Sequence, residues 1–293
     1  MRRKINFVSK GLRCSGWLHG PDNLKRDSKA PTIVIAHGFT GVKEMLPSIP
    51  TLFARAGFVT LVFDYRYFGD SEGEPRCQAF PLEQAEDVRN AITWVSERPE
   101  VDPDRIGIWG TSLGGGIALY VGTYDRRVKA VVSQVPFIVS PEQQRAGDPQ
   151  EYDEMTKILL KDRAERYKTG VTKYWKVVSK REEPCIFPGK GFYDEFMAIK
   201  KPNWRNQVTL ESLEKIREFD SASSIRMLSP TALLIIAAEK DSLAPSHLVK
   251  EVYEKALEPK ALSMLPIRHF EVYFEPWLSK AAGFAINWYR KHL

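Results

Sequence analysis

The chain has 293 residues, 43 % hydrophobic and 27 % charged, a balance that supports a buried core and excludes a disordered or membrane-embedded chain. The net charge of +6 comes from 43 Lys and Arg against 37 Asp and Glu, interspersed rather than gathered into a basic stripe, so no nucleic-acid partner is expected. Cys14, Cys77 and Cys185 are odd in number and far apart, without a zinc or dithiol spacing, and fit a reducing, cytoplasmic setting. Neither a membrane span nor a secretory leader is expected, because no sufficiently long apolar run is present and the early arginines are not followed by one.

In chain order, "KINFV" (4–8) and "LRCSGWLHG" (12–20) read as an antiparallel hairpin added to a sheet edge. "PTIVIAHG" (31–38), "GFVTLVFDY" (57–65), "RIGIWG" (105–110) and "VKAVVSQVP" (128–136) are nearly continuous runs of β-branched and apolar residues, as in strands buried on both faces. Between them, Val88, Ala91, Ile92 and Val95 recur at helical spacing. From Phe137 to Met227 the alternation stops: long helical patterns carry many aromatics (Tyr152, Tyr174, Trp175, Phe192, Phe196 and Trp204 among them) with no strand-like runs. Alternation then resumes with "PTALLIIAAEKD" (230–241), a helix carrying Val249, Val252, Tyr253 and Ala256, "KALSMLPIRH" (260–269), and a last helix from about Pro276 to Lys291. This pattern predicts an α/β fold, a mostly parallel central sheet with helices on both faces. Residues 1–136 and 228–293 are expected to form its core, with 137–227 an inserted helical cap.

Gly110-Thr111-Ser112-Leu113-Gly114 stands where a strand hands over to a helix, the context in which a serine is held on a tight turn with its hydroxyl projecting beside a helix N terminus. A serine hydroxyl needs a base, and the base needs a partner that fixes its tautomer. Of five histidines, His19 lies in the hairpin, His247 on a helix and His292 near the end, leaving His269, after a strand-like run, as the candidate base. Asp241 follows another strand and is favoured as the acid, because it lies further beyond the strand end than its rival Glu239. "AHGFTG" (36–41) follows an early strand and resembles an oxyanion loop, with the backbone N–H groups of Phe39 and Leu113 converging on a substrate carbonyl. His37 is read as bracing that loop.

Taken in order, "HGF", "FDYRYFGDSEG", "DPDRIGIWGTSLGGG", "AEKD" and "RHF" resemble the α/β-hydrolase superfamily over nearly the whole chain. Their tone is similar to the group of dienelactone hydrolases, prolyl and X-prolyl peptidases, and polyketide-trimming hydrolases and acyl transferases. The resemblance implies a triad of Ser112, Asp241 and His269 and an acyl-enzyme on Ser112. Two departures stand out. Tyr67 occupies a position where related chains often have glycine, and Arg268 precedes His269 where they often have Gly-Gly. Tyr67, Arg268 and Trp175 are therefore candidate substrate-binding residues, while Arg145, Arg163 and Arg166 read as a solvated helix face. No dinucleotide-binding, P-loop or H-E-x-x-H pattern is present, so no cofactor and no metal are expected. The expected function is hydrolysis of an ester, thioester or lactone of a small apolar or aromatic molecule. Acyl transfer by the same triad, a prolyl-type peptidase and a non-catalytic binding module are the alternatives, and oligomeric state stays open.

Overall fold

In a computed structural model, which describes residues 2–22, 24–25, 28–181 and 183–293, the apolar runs pair into one sheet. The chain runs through β1 (Arg2–Ser9), β2 (Leu12–His19), β3 (Ala30–Ala36), α1 (Ile49–Arg55), β4 (Val59–Phe63), α2 (Pro81–Ser96), β5 (Val101–Thr111), α3 (Leu113–Tyr124) and β6 (Val128–Gln134). Next come α4 (Pro141–Gly147), α5 (Pro149–Thr169), β7 (Tyr174–Ser179), β8 (Cys185–Pro188), α6 (Lys190–Ile199), β9 (Val208–Thr209) and α7 (Leu210–Arg217). The last elements are β10 (Ala232–Ala238), α8 (Ser246–Lys255), β11 (Lys260–Leu265) and α9 (Trp277–His292). The main sheet has the order β1-β2-β4-β3-β5-β6-β10-β11, parallel from β4 to β11. The N-terminal hairpin is added antiparallel against β4. Its turn uses Lys10 and Gly11, both at positive φ (49° and 80°), the twist a two-residue hairpin requires.

Strands such as β10, buried at every position, are sandwiched between two cores. On one face α2, α3 and α8 contribute Val88, Ile92, Ile117, Leu119 and Val249; on the other α1 and α9 contribute Phe53, Ala281, Ala285 and Tyr289. Tyr289 meets Phe53 edge to face at 5.8 Å, and its hydroxyl donates to the Ile108 carbonyl at 2.7 Å. Gly107 leaves room for it: a Cβ there would stand 2.8 Å from Tyr289 Cε1. These contacts fix β5, the strand that ends at the candidate nucleophile.

The segment between β6 and β10 differs from its sequence reading in two respects. It contains three short strands, with β7 pairing parallel to β8 and antiparallel to β9. They run for only 2 to 6 residues and so carry too little alternation to be read from sequence. Nor is Arg166 on a solvated face: it ties α5 to α7 through Asp162 (2.7 Å), Glu211 (2.9 Å) and Glu214 (3.3 Å). Arg163 also pairs with Glu214, while Arg145 is exposed. Among the described residues, no helix is long and apolar enough to cross a membrane.

Candidate active site

The turn from β5 into α3 has no room for side chains. A Cβ at Gly110 would lie 2.1 Å from the Gly114 carbonyl oxygen, and one at Gly114 would lie 2.3 Å from that of Ala36. Ser112 therefore takes φ 56° and ψ −124°, a backbone geometry that costs a residue with a side chain of order 1–3 kcal/mol. The turn is held by its backbone. Ser112 N–H donates to Gln134 O at 3.0 Å, and Ser112 O accepts from Gly115 (2.9 Å), Gly116 (3.2 Å) and Phe137 (2.9 Å).

Two loops from neighbouring strands meet the serine. Beyond β10, Asp241 Oδ1 accepts the N–H groups of Leu243 (2.8 Å) and Ala244 (2.9 Å), which leaves Oδ2 aimed at His269 Nδ1, 2.7 Å away. His269 Nε2 lies 3.1 Å from Ser112 Oγ. An ionised carboxylate can only accept, so the proton belongs on Nδ1 and Nε2 is free to accept from the serine hydroxyl. Both His269 and Asp241 are buried. Glu239 lies on the exposed side of the same turn.

The loop after β3 supplies the third side. Gly38 packs so closely that a Cβ there would be 3.2 Å from Ser112 Cβ. Among the described residues, the N–H of Phe39 has no backbone or side-chain acceptor. The N–H of Leu113, in the first turn of α3, has none within its helix. Two backbone donors are thus uncommitted beside Ser112. His37 donates from Nδ1 to the Gly38 carbonyl at 3.1 Å, and its ring lies 4.3 Å from that of Tyr65.

Burial lowers His37 from an ordinary value of 6.5 to about 4, and burial, then the Arg2 charge, lowers His19 to about 4 as well. Between pH 4 and 6.5 the unfolded chain therefore binds more protons than the folded one, so stability rises with pH across that window and is lost as pH falls through it. Urea unfolding should show this slope, and His37→Gln should flatten it; an equal slope in the variant would exclude His37 as a contributor.

Sequence reasoning missed Lys43, six residues past His37, because a lysine between a glycine-rich loop and a glutamate reads as surface. It is 1 % exposed. Its Nζ contacts Asp64 (2.6 Å), Asp70 (2.8 Å) and Glu44 (2.9 Å), and its backbone N–H donates to Asp64 Oδ1 at 2.7 Å. Burial opposes its charge, yet the Asp64, Asp70 and Glu44 carboxylates outweigh it and hold the ammonium well above the ordinary lysine range. These three carboxylates are close enough to hold a metal ion, but the cation bonded to all of them is Lys43. Asn203, from the segment between β6 and β10, donates to Glu44 at 2.9 Å, so the cluster joins the loop after β3, the loop after β4 and that segment.

A cavity of about 50 Å³ opens at Ser112, with an apolar lining that includes Phe39, Met45, Phe187, Phe196, Leu243 and Phe270. Tyr67, Trp175 and Arg268 are not among its lining residues. Tyr67, at φ 74°, folds over Gly73, where a Cβ would be 2.4 Å from its ring. Trp175 stands in β7, where its backbone is in register with Val208 of β9, and its side chain is half-buried. Arg268 is 64 % exposed, reaches Glu195 and Glu271, each at 3.5 Å, and lines a neighbouring cleft of about 300 Å³ that also includes His269 and Phe270. Aromatic richness marked the right segment but could not say which rings face inward; Phe187 and Phe196 do.

The chain belongs to the α/β-hydrolase fold family, whose sequence profile it matches over residues 31–270. It is 32 % identical over 276 residues to an uncharacterised 31.7 kDa protein of the traX-finO intergenic region in Escherichia coli, covering 90 % of this chain and 92 % of that one. The thiohydrolase aneE of Aspergillus aculeatus is 29 % identical, with 88 % and 83 % covered. The polyketide transferase grgF of a Penicillium species is 28 % identical, with 90 % and 87 % covered. The crystal structure of the α/β hydrolase GrgF from Penicillium superimposes with a TM-score of 0.86 at 25 % identity, over 100 % of this chain and 99 % of that one.

Proposed function

We propose that this protein is a serine hydrolase that cleaves an ester or thioester through an acyl-enzyme on Ser112. The observation that carries this reading is the hydrogen-bonded series Ser112 Oγ, His269 Nε2, His269 Nδ1 and Asp241 Oδ2, at 3.1 and 2.7 Å, on a turn with two uncommitted backbone N–H groups. His269 takes the serine proton as Oγ attacks the carbonyl carbon. Asp241 holds the reactive tautomer and balances the imidazolium. The N–H groups of Phe39 and Leu113 stabilise the oxyanion, a contribution of typically about a hundred- to a thousandfold per donor. The C–O or C–S bond breaks as His269 returns the proton to the leaving group, and water activated by His269 then releases the acid.

The segment 137–227 acts as a cap in this reading, since Phe187, Phe196 and Ile199 from it close over the serine cavity. The apolar lining favours an apolar acyl part, and the thiohydrolase name of one relative favours a thioester. Acyl transfer to an alcohol or amine is the second reading, favoured by the relative named as a polyketide transferase; product analysis with and without an acceptor separates the two.

The test is intact-mass analysis after treatment with a fluorophosphonate. One adduct on the wild type and none on folded Ser112→Ala is expected. An unlabelled, folded wild type would overturn the activated-nucleophile reading.

A further inference from the structure

Phe39, Phe187, Phe196 and Phe270 all line the cavity at Ser112, and they come from three separate parts of the chain. Phe39 carries one of the two uncommitted backbone N–H groups. Phe270 directly follows the base His269, and the two rings lie 5.2 Å apart. Phe187 and Phe196 belong to β8 and α6, within the segment between β6 and β10.

The four rings form a continuous series. Phe39 meets Phe187 edge to face with ring centroids 5.9 Å apart, Phe187 stacks on Phe196 at 5.7 Å, and Phe196 meets Phe270 at 5.1 Å. Two further contacts fix the middle of the series. The buried Trp204 also stacks on Phe196, at 6.0 Å, and the backbone of Phe187 is in register with Val178, a fully buried residue of β7.

The loop that bears Phe39 needs such support. Gly41 N–H donates to the Gly38 carbonyl at 3.0 Å and closes a turn, but Thr40 within it takes φ 52°, a left-handed conformation that disfavours residues with a side chain. The N–H of Phe39 has no acceptor of its own to hold it. Among the described residues, Phe187 is the one aromatic partner of the Phe39 ring. Stabilisation of an oxyanion depends on donors that already stand in place, and a displacement of about 1 Å can cost as much as roughly a hundredfold in rate.

We infer that Phe187 is a positioning residue that joins the loop after β3 to the ring series seated beside His269, so that the oxyanion donor and the base are held in one frame by the segment between β6 and β10. It acts through Phe39, and the inference rests on Ser112 as nucleophile and the Phe39 N–H as oxyanion donor. A residue that merely walled the pocket would be felt by long acyl groups and chiefly in KM. A positioning residue is felt by the smallest acyl group and in kcat.

The experiment measures kcat and KM separately for p-nitrophenyl acetate and p-nitrophenyl hexanoate, with active sites counted by fluorophosphonate titration and folding verified by circular dichroism. The proteins are wild type, Phe187→Ala, Phe187→Leu and Phe192→Ala. Phe192 is the packing control: its ring lies 5.4 Å from Phe187 and 6.5 Å from Phe270, yet it is not among the residues lining the Ser112 cavity. On the acetate, Phe187→Ala is expected to lose about tenfold or more in kcat with KM little changed. Phe187→Leu, which keeps apolar bulk, should recover most of that loss, and Phe192→Ala should stay near wild type. An unchanged acetate kcat in Phe187→Ala, with the effect confined to KM for the hexanoate, overturns the inference and leaves the serine-hydrolase reading intact. Equal losses in Phe187→Ala and Phe192→Ala overturn it as well, since general loosening of the ring cluster would then be the cause. If wild type turns over neither ester and Ser112 takes no fluorophosphonate, the nucleophile reading fails and this inference falls with it.

Discussion

Ser112→Ala is expected to lower ester hydrolysis by at least about a thousandfold while leaving the protein folded, with His269→Ala close to it. The two side chains act as one unit through the 3.1 Å contact between Oγ and Nε2. Removing both should therefore cost little more than removing either, whereas independent contributions would multiply. Asp241→Asn should be damaging for a different reason. An amide can turn its nitrogen toward His269 Nδ1, which favours the tautomer whose Nε2 carries the proton, and that tautomer cannot accept from the serine. A loss of roughly ten-thousandfold is the scale seen for such a change in a serine protease. Glu239→Gln should stay near wild type. Steady-state rates on one activated ester, with circular dichroism to verify folding, check the whole set; a crippled Glu239→Gln beside an active Asp241→Asn would move the acid to Glu239.

The second large effect is expected at Lys43, far from any reacting atom. Lys43→Met keeps the length and apolar stem of the side chain but deletes the charge that three carboxylates surround. Asp64, 0 % exposed, would be left with its carboxylate facing Asp70 and Glu44 and no cation. Breaking a buried pair in this way typically costs about 3–5 kcal/mol, because the remaining charge is stranded rather than because the pair itself is strongly stabilising. The double variant Lys43→Met, Asp64→Asn should therefore be less destabilised than the sum of the single changes. Denaturant unfolding of the four proteins measures this coupling, and strict additivity would show that the stranded charge is not the cause. Activity should fall in Lys43→Met as well, since Lys43 anchors the far end of the loop that bears the Phe39 N–H.

Most strands of the sheet were legible because both faces of a parallel sheet are covered, which forces continuous runs such as "ALLIIAA" in β10; their order in the sheet was not. The tight turn at Ser112 was legible for a related reason: glycine at 110 and 114 is dictated by backbone packing, and packing of that kind leaves a sequence trace. The charge at position 43 left none. A lysine is encoded identically whether it is solvated or sealed among carboxylates contributed by residues 44, 64 and 70, and only the fold brings those loops together. Neither Tyr67 nor Trp175 lines the cavity at Ser112, and the sequence could not say so for the same reason in reverse. The Tyr67 ring lies over Gly73 and Trp175 stands in a short strand, and neither placement has a periodicity that distinguishes it from a ring pointing into a cavity.

The left-handed backbone at Ser112 has a consequence for how this protein can change. Glycine would adopt φ 56° there without the steric penalty that any Cβ brings. Selection for thermal endurance alone would thus favour erasing the hydroxyl, and under the proposed mechanism selection for turnover keeps it. At this one position the two pressures oppose each other directly, so the rest of the sheet must carry enough surplus stability to tolerate the conflict. Stabilising changes elsewhere in the core therefore widen the range of substitutions the site can accept, and a chain whose core has been weakened loses that latitude first.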